Sequence, residues 1–444
     1  MLDIVHVVHC IDTEGPLSES LTNTFDRLKN IYGIKLKPAA ENLRKIQLKK
    51  IDFNGLEDEI AMVFNKNLLN YNNNWLKLTG MLKKITSKKF RNNFLDSFSN
   101  GWKYNWFIMD HYGFENNPRK RTLGIHKIWN EYEKFYKKIK IKDNFYFHHH
   151  PLSFSKSANH CSTHYFNNQS IIYEILNRKL IDKLWFPSVY RPGFHTIRPD
   201  SNWFLEQFIP FDYSNQSVID NNQSTSNDLS NGRFGDWRRA VKTWSPYNPS
   251  HDDYQRPGKC RRYTARCLNI GTRHKILKIN DVEQAFYEAS KGKPVILSFT
   301  NHDYRDMEND IRYVYEIIKK VSQKYKKIRF KWCDARDAMR SSLRLKKVKN
   351  KVYQSITDKT FTLEFQKPIF GPQPYLAFKT KKGQYFHDNF DIQKPFYKWT
   401  YYFDEHTMNI DKISDFRWAA NDKFGSTYIG SIDLKTSKSM YMII

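Results

Sequence analysis

The chain of 444 residues predicts an α/β fold, either a parallel barrel or an open parallel sheet, followed by an all-β domain. Three observations carry this. Apolar runs alternate with amphipathic helical stretches through about residue 340, the pattern of parallel βαβ units. Those runs end in polar or charged residues, as strands do at the catalytic rim of an α/β barrel. From Lys349 the segments T-F-T-L-E-F, P-Y-L-A-F-K-T, K-W-T-Y-Y-F, S-T-Y-I-G-S-I and S-M-Y-M-I-I alternate and are separated by turns, which predicts a small sandwich. The expected division is a barrel-like domain over 1–345 and a sandwich-like accessory domain over 346–444.

The first strand is the sharpest element. Ile4–Ile11 is apolar or β-branched apart from its histidines, and it leads into Asp12-Thr13-Glu14 and a Gly15-Pro16 stop. Asp12 and Glu14 are two apart, so an extended chain points both to one face. Two carboxylates that close repel unless one keeps its proton or a cation sits between them. Residues 17–100 are polar and helical in pattern, with helices expected over 41–50, 56–69 and 75–86. So long an excursion after a rim strand predicts an insertion. Lys103–Met109 is the next strand and ends in Asp110-His111, placed for substrate contact. A helix over 123–138 carries His126, read as a structural or rim histidine.

Asp143–His150 reads D-N-F-Y-F-H-H-H. Three consecutive histidines are improbable as core packing, because each ring nitrogen needs a partner. On a strand His148 and His150 share a face. With one carboxylate they make a metal-ligand set that leaves a position open for water. His160 and His164 form a weaker pair. A helix over 169–183 and a short strand over 184–189 lead to Tyr190-Arg191-Pro192-Gly193, where Arg191 is placed to hold a carboxylate or another anionic oxygen. A helix over 201–208 precedes Phe211-Asp212-Tyr213, a strand end with Asp212 as a substrate contact. Residues 214–275 read as one long polar loop in which Trp237, Trp244, Tyr247 and Tyr254 offer a wall for stacking sugar rings. Pro294–Thr300 is a fully apolar strand that ends in Asn301-His302-Asp303. His302 has the make-up of a general acid or base, with Asp303 to fix its tautomer.

Composition bounds the function. The net charge is +27, but the basic residues are spread along the chain, and no RNP, zinc-finger or helix-turn-helix signature accompanies them. That argues against a nucleic-acid partner. No apolar run reaches the ~18 residues of a membrane span. The five cysteines include no CxxC pair and read as free thiols in a reducing compartment. With no signal-peptide pattern at the start, the expectation is cytoplasmic action on a glycan precursor.

In their order, the strand ends resemble the polysaccharide deacetylase superfamily, carbohydrate esterase family 4. The matching stretches are Asp12-Thr13-Glu14, His148-His149-His150-Pro151, Arg191-Pro192-Gly193 and Leu297–His302, and they span about residues 1–340. The family's second motif usually carries two histidines four apart, where this chain has a triplet. The resemblance implies a distorted (β/α) barrel with large insertions that holds Zn²⁺ or a similar ion. Glu14, His148 and His150 would bind the metal, Asp12 would be the base, Arg191 would tune Asp12, and His302 would protonate the leaving amine. The activity implied is removal of an N-acetyl or similar acyl group from an amino sugar in surface polysaccharide synthesis. The alternatives are a binding barrel with a decayed site and a metal-independent amidohydrolase.

Overall fold

A computed structural model describes residues 4–139, 141–160, 169–219, 235–434, 436 and 438–444. The predicted sheet closes. Seven parallel strands, β1 (Ile4–Thr13), β2 (Asn105–Met109), β3 (Asn144–His149), β4 (Val189–Pro192), β5 (Phe211–Asn215), β6 (Tyr263–Asn269) and β7 (Val295–His302), pair in chain order, and β7 returns to β1. An eighth strand, β8 (Arg329–Trp332), pairs with the lower half of β1 over Ile4–Val7, while β2 takes the upper half over Cys10–Thr13. Asn105 stitches this fork. Its amide donates to the His9 and Cys333 carbonyls (3.2 Å each), and its Oδ1 accepts from Ala335 N (2.8 Å).

The two-residue period of the strands sorts side chains cleanly. The barrel interior is filled by Val8, Cys10, Phe107, Tyr146, Val189, Ala265, Cys267 and Ile296, closed from below by Met339 of the helix Ala335–Ser342. Val5, Val7, Ile11, Leu297 and Phe299 point outward, into the layer shared with the surrounding helices. Asp12, His148, Arg191 and His302 continue the inward rows at the C-terminal ends of their strands. Sequence alone therefore stacks the polar groups on top of the apolar plug.

One expected loop contains a strand. Tyr263–Asn269 is β6, inside the stretch expected to be loop. Its pattern was obscured by Arg266, which is buried and pairs with Asp281 at 2.8 Å across the face of Trp244. The expected strand over 184–189 lies a few residues later, at β4. The helix expected over 56–69 ends at Val63. His164 and residues 220–234 of the expected loop lie outside the described residues. The insertion after β1 builds a small core of its own around Phe25, Leu28, Ile60 and Phe64, and its end returns to the barrel mouth, where Leu17 N donates to Asn72 O (3.2 Å).

The C-terminal region is all-β. A four-stranded and a five-stranded antiparallel sheet enclose Phe361, Leu363, Trp399, Phe378, Phe416 and Trp418. The outer face of the five-stranded sheet presents Tyr375, Ala377, Ala419 and Ile429 to Phe186, Leu205 and Phe208 of the barrel. Tyr375 donates to Asn177 (2.8 Å), and Asn421 donates to the Pro187 and Phe208 carbonyls (2.7 Å each). The sheets thus brace the barrel flank between β4 and β5. A chain ending at residue 345 should consequently aggregate or bind an apolar dye, since it exposes that face and leaves two buried carbonyls unpaired. A soluble 1–345 chain with the full chain's thermal midpoint would contradict this. Among the described residues no helix is long and apolar enough to cross a membrane.

Candidate metal centre

At the barrel mouth β1, β3, β4 and β7 bring their ends together. Asp12 is in register with His302 across β1 and β7, and His148 with Arg191 across β3 and β4. Glu14 lies just beyond β1. Gly15, at φ 72°, makes a left-handed turn there that a side chain would strain. Asp303 fastens this turn. Its carboxylate accepts from Glu14 N (2.9 Å), Gly15 N (3.0 Å) and Tyr132 Oη (2.8 Å). Burial pushes the Asp303 acid up to about 7. The expected Asp303–His302 pair therefore does not form. Asp303 shapes the Glu14 loop, and His302 Nδ1 has no hydrogen-bond partner among the described residues.

Three ligand atoms converge. His148 Nε2 lies 3.0 Å from His150 Nε2, His150 Nε2 lies 3.4 Å from Glu14 Oε1, and His148 Nε2 lies 4.0 Å from the same oxygen. Bonds of ~2.0–2.1 Å at tetrahedral angles would place such atoms about 3.3 Å apart. His148 Nδ1–H donates to the Arg191 carbonyl (2.9 Å), which fixes the tautomer and turns the Nε2 lone pair toward the centre, as an outer partner does for a metal-bound histidine. Burial pushes both His148 and His150 down to about 3, so neither carries an extra proton at neutral pH. One Nε2–H can satisfy one of the three contacts; a cation among the three satisfies them all. Residues of this type and placement fit a divalent metal.

Asp12 stands beside the triangle rather than in it. Arg191 donates Nε to Oδ1 (2.5 Å) and Nη2 to Oδ2 (3.3 Å), and its Nη1 is held by the Tyr213 carbonyl (2.8 Å). Oδ2 also faces His302 Nε2 at 3.7 Å, the distance that separates the same nitrogen from Glu14 Oε1. Burial holds His302 well below its ordinary pKa, so it is neutral at rest. Gly193 packs so tightly on His150 that a Cβ there would lie 2.0 Å from the ring.

Other expected site residues lie elsewhere. Asp110 is buried, pairs with Lys179 Nζ at 2.6 Å and accepts from His126 N (2.7 Å). His111 donates Nε2–H to the Glu14 carbonyl (3.2 Å), so it supports the loop from behind. Asp212 sits within β5, fully buried against Arg262 and Thr264. Trp237 is 1% exposed, its indole N–H spent on the His195 carbonyl (2.8 Å), and Trp244, Tyr247 and Tyr254 are buried too. The expected stacking wall is core, because each of these rings finds a main-chain acceptor inside the protein. His126 pairs with Asp182 at 3.4 Å and is structural.

Arg121 and the cleft walls escaped the sequence reading. Arg121, from the basic turn after β2, lies against Glu14 Oε2. The centre opens into a cleft of about 850 Å³, solvent at its mouth included, whose walls carry Tyr71, Arg119, His195, Arg273, Tyr304 and Arg305. A second ligand-like group, Glu206, His251 and Cys260, is a poor metal site. Glu206 is committed to Arg261 (N at 2.7 Å, Nε at 3.0 Å), and burial pushes the Cys260 thiol up to about 12. No family model, curated protein or solved structure matches the chain.

Two histidines away from the centre set an acid limit on the fold. Trp102 Nε1 donates to His9 Nδ1 (3.0 Å), so His9 donates Nε2–H to Asn301 (2.9 Å), which donates to Asp310 (2.9 Å). Burial lowers His9 to about 3 and His6 to about 4. Between those values and 6.5 the unfolded chain binds protons that the folded chain does not, so stability falls as pH drops below 6.5. Together the two should cost roughly 4 kcal/mol between neutral pH and pH 5. Urea midpoints at the two pH values check this; equal midpoints would refute it.

Proposed function

We propose that the chain is a metal-dependent hydrolase of the polysaccharide deacetylase type that removes an acetyl or similar acyl group from the nitrogen of an amino sugar. The observation that carries this reading is the Glu14–His148–His150 triangle set beside an Arg191-clamped Asp12 and a neutral His302, with Asp12, Glu14, His150 and His302 lining one cleft. A divalent cation, Zn²⁺ by preference for two imidazoles and a carboxylate, would supply a water of lowered pKa and positive charge for the acyl oxygen. Arg191 holds Asp12 in place through two hydrogen bonds. Asp12 Oδ2 takes the proton of the attacking water. His302 Nε2, within 3.7 Å of that oxygen, passes a proton to the departing nitrogen. His302 is neutral at rest, so the proton it delivers is the one released by the water. The amide C–N bond breaks, the water's hydroxyl joins the acyl carbon, and acid and amine leave.

Arg121 favours a second reading. Its guanidinium already balances Glu14, as a metal-free amidohydrolase or a sugar-binding barrel would need. Metal analysis of the purified, untagged protein separates the two. About one transition-metal ion per chain, lost in Glu14→Ala and in His150→Ala, supports the metal hydrolase, and acetate release from N-acetylated amino sugars then tests the reaction. A chain that takes up no Zn²⁺ or Co²⁺ even when these are supplied would leave the metal-free reading.

A further inference from the structure

The walls of the cleft are far more basic than its chemistry requires. Five arginines line it against two acids, Asp12 and Glu14. Arg27 and Arg119 share the buried Glu19 at 2.8 and 3.4 Å, and Arg121 lies against Glu14. Arg305 is different. It is half-buried, its one side-chain hydrogen bond among the described residues is from Nε to the Leu68 carbonyl (3.0 Å), and no carboxylate among them lies within ion-pair distance of it. Its two Nη groups carry no hydrogen bond among the described residues, and the side chain lines both this cleft and the neighbouring hollow beside Asp306 and Asp310.

These groups are built into a rigid frame. Arg119 lies over Tyr71 and Arg305 over Tyr304, at 5.2 and 5.0 Å from the ring centroids; Arg121 is 5.7 Å from the Tyr304 ring. Tyr71 and Tyr304 meet edge to face at 6.1 Å. Tyr304 also stacks on His302 at 4.7 Å, so the frame adjoins the reacting centre. The insertion after β1 supplies Tyr71, and Asn72 anchors it by donating N to Tyr304 O (2.8 Å) and Nδ2 to Asp303 O (2.9 Å). A guanidinium on an aromatic face keeps its fork free for an oxyanion; Arg305 is the one of these three that no carboxylate already occupies. With Arg119 and Arg121 beside it, the positive charge gathered there suits a group of more than one negative charge better than a single carboxylate.

Resting on the hydrolase reading, we infer that the substrate carries a phosphate: an N-acylated amino sugar esterified at its anomeric carbon, with Arg305 as the principal anion contact. A phosphate on C1 is one carbon from the acylamino group on C2, so one cleft holds both, the amide at the metal centre and the phosphate on the arginine frame.

Calorimetric titration of the full chain tests this with N-acetylglucosamine 1-phosphate, the methyl glycoside of N-acetylglucosamine and inorganic phosphate as probes. The phosphate ester should bind at least about tenfold tighter than the neutral glycoside, and inorganic phosphate should compete with it. The advantage should shrink at high salt, nearly vanish in Arg305→Ala and persist in part in Arg305→Lys. Equal affinity for ester and glycoside, or an undiminished preference in Arg305→Ala, would overturn it. The salt dependence of the unaltered protein reads the same contact without any substitution. Nucleotide- and prenyl-diphosphate-linked N-acetylglucosamine distinguish the source: tighter binding of either than of the 1-phosphate supports the inference and says which carrier the sugar comes on. The two readings fail separately. Phosphate preference without acetate release keeps the anion site and removes the hydrolase; acetate release as fast from the glycoside as from the ester does the reverse.

Discussion

Asp12→Asn should lower acyl release by about 10²–10⁴-fold, the usual contribution of a positioned base, while leaving the metal content of the protein unchanged. Asparagine keeps the shape of the side chain and its bond from Arg191, but it cannot take a proton. Asp12 is not in the ligand triangle. Its nearest approach to His148 is to Nδ1, at 3.7 Å, the nitrogen opposite the one that faces Glu14. Loss of metal in this variant would therefore make Asp12 a ligand, and full activity would remove it as the base. The substitution also leaves the buried Arg191 guanidinium without its counter-charge, which typically costs about 3–5 kcal/mol. Thermal midpoints must accompany the rates, so that a drop in activity is read only where the fold persists.

The rim of the barrel was legible because strands obey a period of two. That rule puts Asp12 with Glu14, and His148 with His150, whatever the rest of the fold does. The alternation of strand and helix left closure open, since an open sheet shares it; the resemblance implied a barrel, and the β1–β7 register bears that out. β6 was missed because Arg262 and Arg266 look like loop residues until Asp212 and Asp281, far away in sequence, neutralise them. The same blindness turned four buried aromatics into a sugar-stacking wall: Trp237 and Trp244 donate to carbonyls of other segments, and Tyr247 and Tyr254 to carbonyls that only the folded loop brings to them. Asp303 misled in a related way. Adjacent residues on a strand face opposite sides, so the neighbour of His302 points to the Glu14 loop and not to the imidazole. The arginines of the cleft come from the insertion and from loops after β2, β6 and β7, where no periodicity marks them.

Gly193→Ala should cost metal affinity a hundredfold or more without touching a ligand. The Cβ of an alanine would stand 2.0 Å from one carbon of the His150 ring and 2.6 Å from its Nε2, so the ring must move. It has little room to do so, because Phe194 packs on it at 5.1 Å and His148 crosses it at 4.9 Å. A shift of an ångström at one donor is enough to open a triangle whose sides are 3.0, 3.4 and 4.0 Å. The backbone at Gly193 is not left-handed, so the substitution carries no conformational strain of its own, and the effect reads as displacement of His150. Dialysis against a graded chelator, followed by metal analysis, gives the affinity ratio to the unaltered chain. If Gly193→Ala holds metal as tightly as the parent, His150 is free to swing and is not the ligand assigned here. If it loses metal while the thermal midpoint of the apo protein stays put, the Pro192-Gly193 turn after β4 is the device that seats the third ligand, and the glycine of that turn is explained by the histidine it lets in.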